Sequence, residues 1–196
     1  SYPLSDRRRG GTGCAQSICW GYPFYWSSSD GLIEGNEIWN FPSFGLHLYP
    51  SPNNNIIRNN IIHDFSTSYW PTPPPGALGP GDPRGTAIVI YGNGNEVYDN
   101  VVYNGSTGIG ASGSNHSVYN NTVYNMTSVY GGFAGESTSN STFRNNISYG
   151  SNSSIYSIVG PGTVFTNNLC GTSGPGCSVI ADPQFENAAA GDFRPK

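Results

Sequence analysis

The sequence predicts an all-β solenoid, one domain spanning residues 1–196, on three observations. A short unit centred on asparagine recurs six times between residues 33 and 170. The 27 glycines, 15 prolines and 22 asparagines are too many for helices but suit short strands joined by tight corners. Only 10% of residues are charged and the net charge is −4, so no basic face is available to neutralise a run of phosphates. Nucleic acid is thereby excluded as a partner. No apolar stretch reaches the length of a membrane-spanning helix.

Along the chain, residues 1–29 read as an irregular N-terminal region, with Arg7, Arg8 and Arg9 as a solvated tail. Beginning at Ser1, the chain reads as a processed product. The repeat then starts with Ile33-Glu-Gly-Asn36-Glu-Ile38-Trp39-Asn40 and returns as Ile57-Arg-Asn-Asn60-Ile-Ile62-His63-Asp64. Its next copies are Val97-Tyr-Asp-Asn100-Val-Val102-Tyr103-Asn104 and Val118-Tyr-Asn-Asn121-Thr-Val123-Tyr124-Asn125. Two weaker copies follow, Phe143-Arg-Asn-Asn146-Ile-Ser148-Tyr149 and Phe165-Thr-Asn-Asn168-Leu-Cys170. Steps from Asn to Asn are 24, 40, 21, 25 and 22 residues, so the second step holds an inserted loop. That loop, residues 66–84, is Pro-rich, cannot add a strand, and projects from one coil. Second apolar runs lie between the copies at Gly45–Leu48, Gly85–Ile90, Gly108–Ala111 and Ile155–Val159. Residues 171–196 close the domain.

A period near 22 residues is too short for propeller blades, and leucine-rich spacing is absent. Each period is therefore one coil, with identical positions stacked on the next. Asn36, Asn60, Asn100, Asn121, Asn146 and Asn168 are expected in one buried column, each amide bonded to its neighbours. In this repeat the chain resembles the right-handed parallel β-helix proteins of the pectin-lyase-like fold, and among them the short Asn-rich repeat type. About seven or eight coils are expected. The resemblance says little about activity, because lyases, hydrolases, epimerases, adhesins and inert stalks share the fold.

If Ile38, Ile62, Val102 and Val123 point inward, then Trp39, His63, Tyr103, Tyr124 and Tyr149 form an outward aromatic strip. Because Ile61, Val101 and Ile147 are apolar too, alternation alone does not decide this. Such a strip suits carbohydrate, as do Tyr69 and Trp70 of the inserted loop; the bland reading is rings stacking for stability.

The lyases that the resemblance brings in need clustered carboxylates for calcium and a basic residue at the sugar. Here no column carries two acids, Glu34 and Arg58 pair on the surface, and Arg144 is three coils from Arg58. If the protein is an enzyme, the residues to examine are Arg58, His63, Asp64, Asp82 and Arg84, around the inserted loop. No metal or cofactor is expected, except Ca²⁺ should it be a lyase. His47, within an apolar run, and His116, in a turn, read as structural.

Four cysteines fall in two close pairs, Cys14/Cys19 and Cys170/Cys177, with spacings unlike zinc sites. Local disulfides are expected; the alternative is four free thiols in a reducing compartment. Glycosylation sequons crowd between Asn104 and Asn152. Asn104, Asn115, Asn125, Asn140 and Asn152 are the acceptor candidates, whereas Asn146 belongs to the buried column. The favoured function is a secreted, glycosylated surface protein, an adhesin or fibre subunit, binding carbohydrate and associating end to end. The alternative is a polysaccharide-active enzyme, lyase before hydrolase. A fragment of a larger protein is a third reading.

Overall fold

The computed structural model describes residues 23–41, 43–65 and 85–196. Cys14, Cys19, Tyr69, Trp70, Asp82 and Arg84 lie outside the described residues, as do most of the N-terminal region and the inserted loop.

Each coil contributes three short strands. The first coil holds β1 (Phe24–Trp26), β2 (Leu32–Glu34) and β3 (Glu37–Trp39). The second holds β4 (Leu46–Leu48), β5 (Ile56–Arg58) and β6 (Ile61–His63). The third holds β7 (Thr86–Ile90), β8 (Glu96–Tyr98) and β9 (Val101–Gly105), and the fourth β10 (Thr107–Ser114), β11 (Ser117–Tyr119) and β12 (Thr122–Met126). The fifth has β13 (Phe133–Ser139), β14 (Thr142–Arg144) and β15 (Ile147–Tyr149). The sixth has β16 (Ile155–Val159), β17 (Val164–Thr166) and β18 (Asn168–Cys170). After it come β19 (Cys177–Ile180), β20 (Phe185–Asn187), a 3₁₀ turn at Ala188–Ala190 and β21 (Asp192–Pro195).

Equivalent strands pair in parallel to make three long sheets, a parallel β-helix. Sheet A runs β1-β4-β7-β10-β13-β16, sheet B β2-β5-β8-β11-β14-β17, and sheet C β3-β6-β9-β12-β15-β18-β19. From β1 to β16 the described residues make about five full turns, six stacked coils in all, fewer than the seven or eight expected. The reason lies partly at the C-terminus: after β19 the chain leaves the ladder, and β20 and β21 pair only with each other, antiparallel.

The corners account for the composition. Asn59, Asp99, Asn120, Asn145 and Asn167 all sit at φ between 53° and 55°, immediately before a column Asn. Left-handed backbone is open to Gly and, among residues with side chains, most cheaply to Asn and Asp. The next residue at this corner is the predicted column. Asn36, Asn60, Asn100, Asn121, Asn146 and Asn168 stack between sheets B and C. In each step the Nδ2 amide donates to the following Oδ1 at 2.9–3.1 Å, and the backbone N–H donates to the same oxygen.

Alternation settles the inward question as well. Ile62, Val102 and Val123 are fully buried, so Ile61, Val101 and Ile147 face out. Sheet B packs Ile33, Ile57, Val97, Val118 and Phe143 into the same core, and sheet A adds Leu46, Ile88, Ile109 and Phe133.

Candidate functional site

Outward residues of sheet C line up because the register is unbroken: Trp39 opposes His63, His63 opposes Tyr103, Tyr103 opposes Tyr124, and Tyr124 opposes Tyr149. The Trp39 and His63 rings stack at 6.1 Å and 10°, and those of His63 and Tyr103 at 4.8 Å and 4°. Tyr124 and Tyr149 stack at 6.4 Å. Rings stacked this way turn their faces toward one another and their edges to solvent. Trp39, on the first described strand of the sheet, ends the column among the described residues and is 55% exposed.

Between Tyr103 and Tyr124 the column is interrupted by a residue from the C-terminal hairpin. Phe193 lies 5.3 Å from the Tyr103 ring and 5.6 Å from that of Tyr124, and Phe185 braces it edge-on at 5.1 Å. The hairpin thus lies over the outer face of sheet C without sealing it. A cleft of about 630 Å³ remains, with Ile61, Val101 and Thr122 on the sheet side and Gly191, Asp192 and Arg194 on the hairpin side. Ligand sites commonly hold about 300–1,000 Å³.

Three polar side chains gather at the Trp39 end. His63 Nδ1 is 2.8 Å from Asp64 Oδ2, and its Nε2 is 3.3 Å from Glu37 Oε1. The imidazole is only 14% exposed, while the Glu37 and Asp64 side chains are 60% and 55% exposed. Asp64 Oδ1 accepts from Asn104 Nδ2, and Asn104 Oδ1 accepts from Asn125 Nδ2. Burial alone would raise the Asp64 carboxyl; the hydrogen bonds with His63 and Asn104 outweigh it and hold the acid below its usual range. Burial, reinforced by the charges of Asp64 and Glu37, raises the Tyr103 phenol.

Sheet C therefore brings His63 and Asp64 together and adds Glu37, Phe193, Asp192 and Arg194, which the sequence reading passed over. Glu37 had a signal: it stands two residues before Trp39 on the same face. The hairpin residues had none, because residues 181–196 carry no repeat. Arg58 is elsewhere, in sheet B, since the corner at Asn59 and Asn60 turns the chain between β5 and β6. There it bonds Glu34 at 2.6 Å and donates to the Tyr98 hydroxyl at 3.0 Å. Tyr98 stacks on Tyr119, and Arg144 lies 4.4 Å over the Tyr119 ring.

Among the described residues no three His, Cys, Asp or Glu side chains converge to hold a metal ion. Cys170 and Cys177 form a disulfide. Of the sequon asparagines, Asn115, Asn125, Asn140 and Asn152 are exposed, Asn104 is half-buried and Asn146 is buried. No helix among the described residues is long and apolar enough to cross a membrane.

No protein-family model, curated protein or solved structure matches the chain. Function therefore rests on the geometry of the site.

Proposed function

We propose that this protein acts outside the cell as a surface component that binds carbohydrate on the outer face of sheet C. The observation that carries the reading is the exposed Trp39 ring at the head of an aromatic column, with Glu37, His63 and Asp64 close by and a cleft lined by Glu37 and Tyr103 alongside. An apolar ring face suits the C–H side of a pyranose, and carboxylates beside it accept from hydroxyls. The Cys170–Cys177 disulfide supports an oxidising compartment, and the exposed sequons at Asn115, Asn125, Asn140 and Asn152 support glycosylation there. Affinity electrophoresis against a panel of polysaccharides tests the reading. At least one should retard the protein, and Trp39→Ala should weaken it about tenfold, the worth of one good ring contact. Free migration through every polysaccharide would overturn it.

Exposed large apolar residues concentrate on the terminal strands. Leu32 and Trp39 mark the first described coil, and Val159, Val164, Val179 and Ile180 the last. Strand edges bearing such residues at the two ends of the described ladder support end-to-end association of copies. Sedimentation should show mass growing with concentration, and Val164→Lys should block it; a monomer at all concentrations would reject this part.

A second reading is kept by one observation, the imidazole between two carboxylates beside a cleft. That arrangement also fits a polysaccharide-active enzyme of the pectin-lyase-like type, lyase before hydrolase. Unsaturated products absorbing in the ultraviolet, on incubation with uronate polysaccharides, would favour it.

A further inference from the structure

The cleft beneath the hairpin has features that select among carbohydrates. Ile61, Val101 and Thr122 oppose one another in register on three successive coils, with Glu37 opposite Ile61 on the coil before. Four coils at strand spacing make a floor roughly 14 Å long, the reach of about three pyranose units. It is apolar along its middle and flanked by the Tyr103 and Phe193 rings, which pack on each other at 5.3 Å. The cation among its lining residues is Arg194, and Asp192 balances its charge: Arg194 Nε and Nη2 bond the two Asp192 oxygens at 2.9 and 2.6 Å. Glu37 stands at the Trp39 end with its carboxylate largely in solvent. A uronate chain laid here would bring its carboxylates against Glu37 with no unpaired cation among the lining residues to receive them.

We infer that this cleft takes an uncharged glycan segment of about three sugar units, running along the solenoid axis over Ile61, Val101 and Thr122 and beside the Tyr103–Phe193 ring pair, and that it turns uronate chains away. The inference rests on carbohydrate being the ligand of this face. Phe193 is then a specificity-determining residue supplied by a segment outside the repeat. The hairpin's backbone hydrogen bonds among the described residues stay within residues 184–196, so side-chain packing holds this wall in place.

Calorimetry on the whole chain tests it, using neutral gluco-, manno-, xylo- and chito-oligosaccharides from disaccharide to hexasaccharide, and oligogalacturonates of the same lengths. Affinity for one neutral series should climb to the trimer or tetramer and then level, with the uronates about tenfold weaker or more. Glu37→Gln, an exposed change that leaves folding alone, should narrow the gap between neutral and uronate ligands. Phe193→Ala should weaken the neutral trimer more than the dimer. Equal or tighter uronate binding, or no gain beyond the dimer, overturns the inference while leaving carbohydrate binding standing. Binding to no oligosaccharide and no polysaccharide overturns both.

Discussion

Two corners of every coil carry a hydrogen-bonded column, yet they are built from different residues. Between sheets B and C stand six asparagines, Asn36 through Asn168. Between sheets A and B stand Gly31, Asn55, Asn95, His116, Ser141 and Thr163. At the first corner the side chain must bond in both directions. The Asn121 amide donates to Asn146 Oδ1 and to the Val97 and Tyr119 carbonyls, while its Oδ1 accepts from Asn100. Only asparagine offers both roles at that length. At the second corner the steps share only one requirement, an acceptor for the backbone N–H of the coil before; the Asn55–Asn95 step alone adds a side-chain bond along the column, Asn55 Nδ2 donating to Asn95 Oδ1 at 3.0 Å. Asn95 Oδ1, His116 Nδ1, Ser141 Oγ and Thr163 Oγ1 all serve. A two-way requirement fixes a residue type, and a one-way requirement does not.

The largest expected effect tests this asymmetry at its strongest point. Asn121→Ala leaves buried donors of Asn100 and carbonyls of Val97 and Tyr119 without partners, and should cost about 3 kcal/mol in urea denaturation. A loss under about 1 kcal/mol would mean that the column is ornamental.

Next comes the end of that column. A two-way chain needs a terminator, and Asn168 Nδ2 finds one in the Gly176 carbonyl at 3.2 Å. The turn carrying Gly176 is tied down by Cys170–Cys177. Replacing both cysteines by serine should cost about 2 kcal/mol, the low end for disulfides because the loop is short. Combined with Asn168→Ala the losses should be less than additive, since both remove the same terminal contact.

The one-way corner brings a pH dependence that the asparagine corner lacks. His116 accepts from the Asn95 N–H at Nδ1 and faces the Ser112 carbonyl with Nε2, so its ring is neutral, and burial pushes its basicity down. Burial likewise pushes His47 down to about 4. Both groups bind protons more readily unfolded, so stability is complete above about pH 6.5 and falls as the pH drops toward 4. The loss should be on the order of 1–2 kcal/mol between pH 7 and pH 4.5. The depressed Asp64 and Asp192 act only at lower pH and do not enter this window. His116→Asn keeps the acceptor without the titration, and should make the pH profile shallower, leaving the His47 share, while changing neutral stability little.

These differences also explain what could be read in the sequence. Six asparagines in register were legible because nothing else can stand there, and they fixed the coil, the sheet register and the aromatic column. The A–B corner was not, because Gly31, His116 and Ser141 share no chemistry that a repeat search would see. Within the site, Trp39, His63 and Asp64 followed from register alone. Arg58, five residues before His63, looked close in sequence but belongs to another sheet, because a left-handed corner intervenes. Phe193 was invisible: its place depends on tertiary folding of a segment without period.

The smallest effect should lie at Thr163, where the one-way column ends. Its hydroxyl accepts from the Ser141 N–H at 3.4 Å and donates to the Thr138 carbonyl at 2.8 Å. A hydroxyl can thus close its own column, with no disulfide-pinned turn behind it. The incoming bond is long, and the residue is half-exposed, so water can replace what is lost. Thr163→Ser keeps both bonds and should shift stability by less than about 0.5 kcal/mol, whereas Thr163→Val, nearly the same in shape, should cost about 1 kcal/mol. Were Thr163→Val as damaging as Asn121→Ala, the second corner would be bearing a two-way load after all, and its varied residue types would need another explanation.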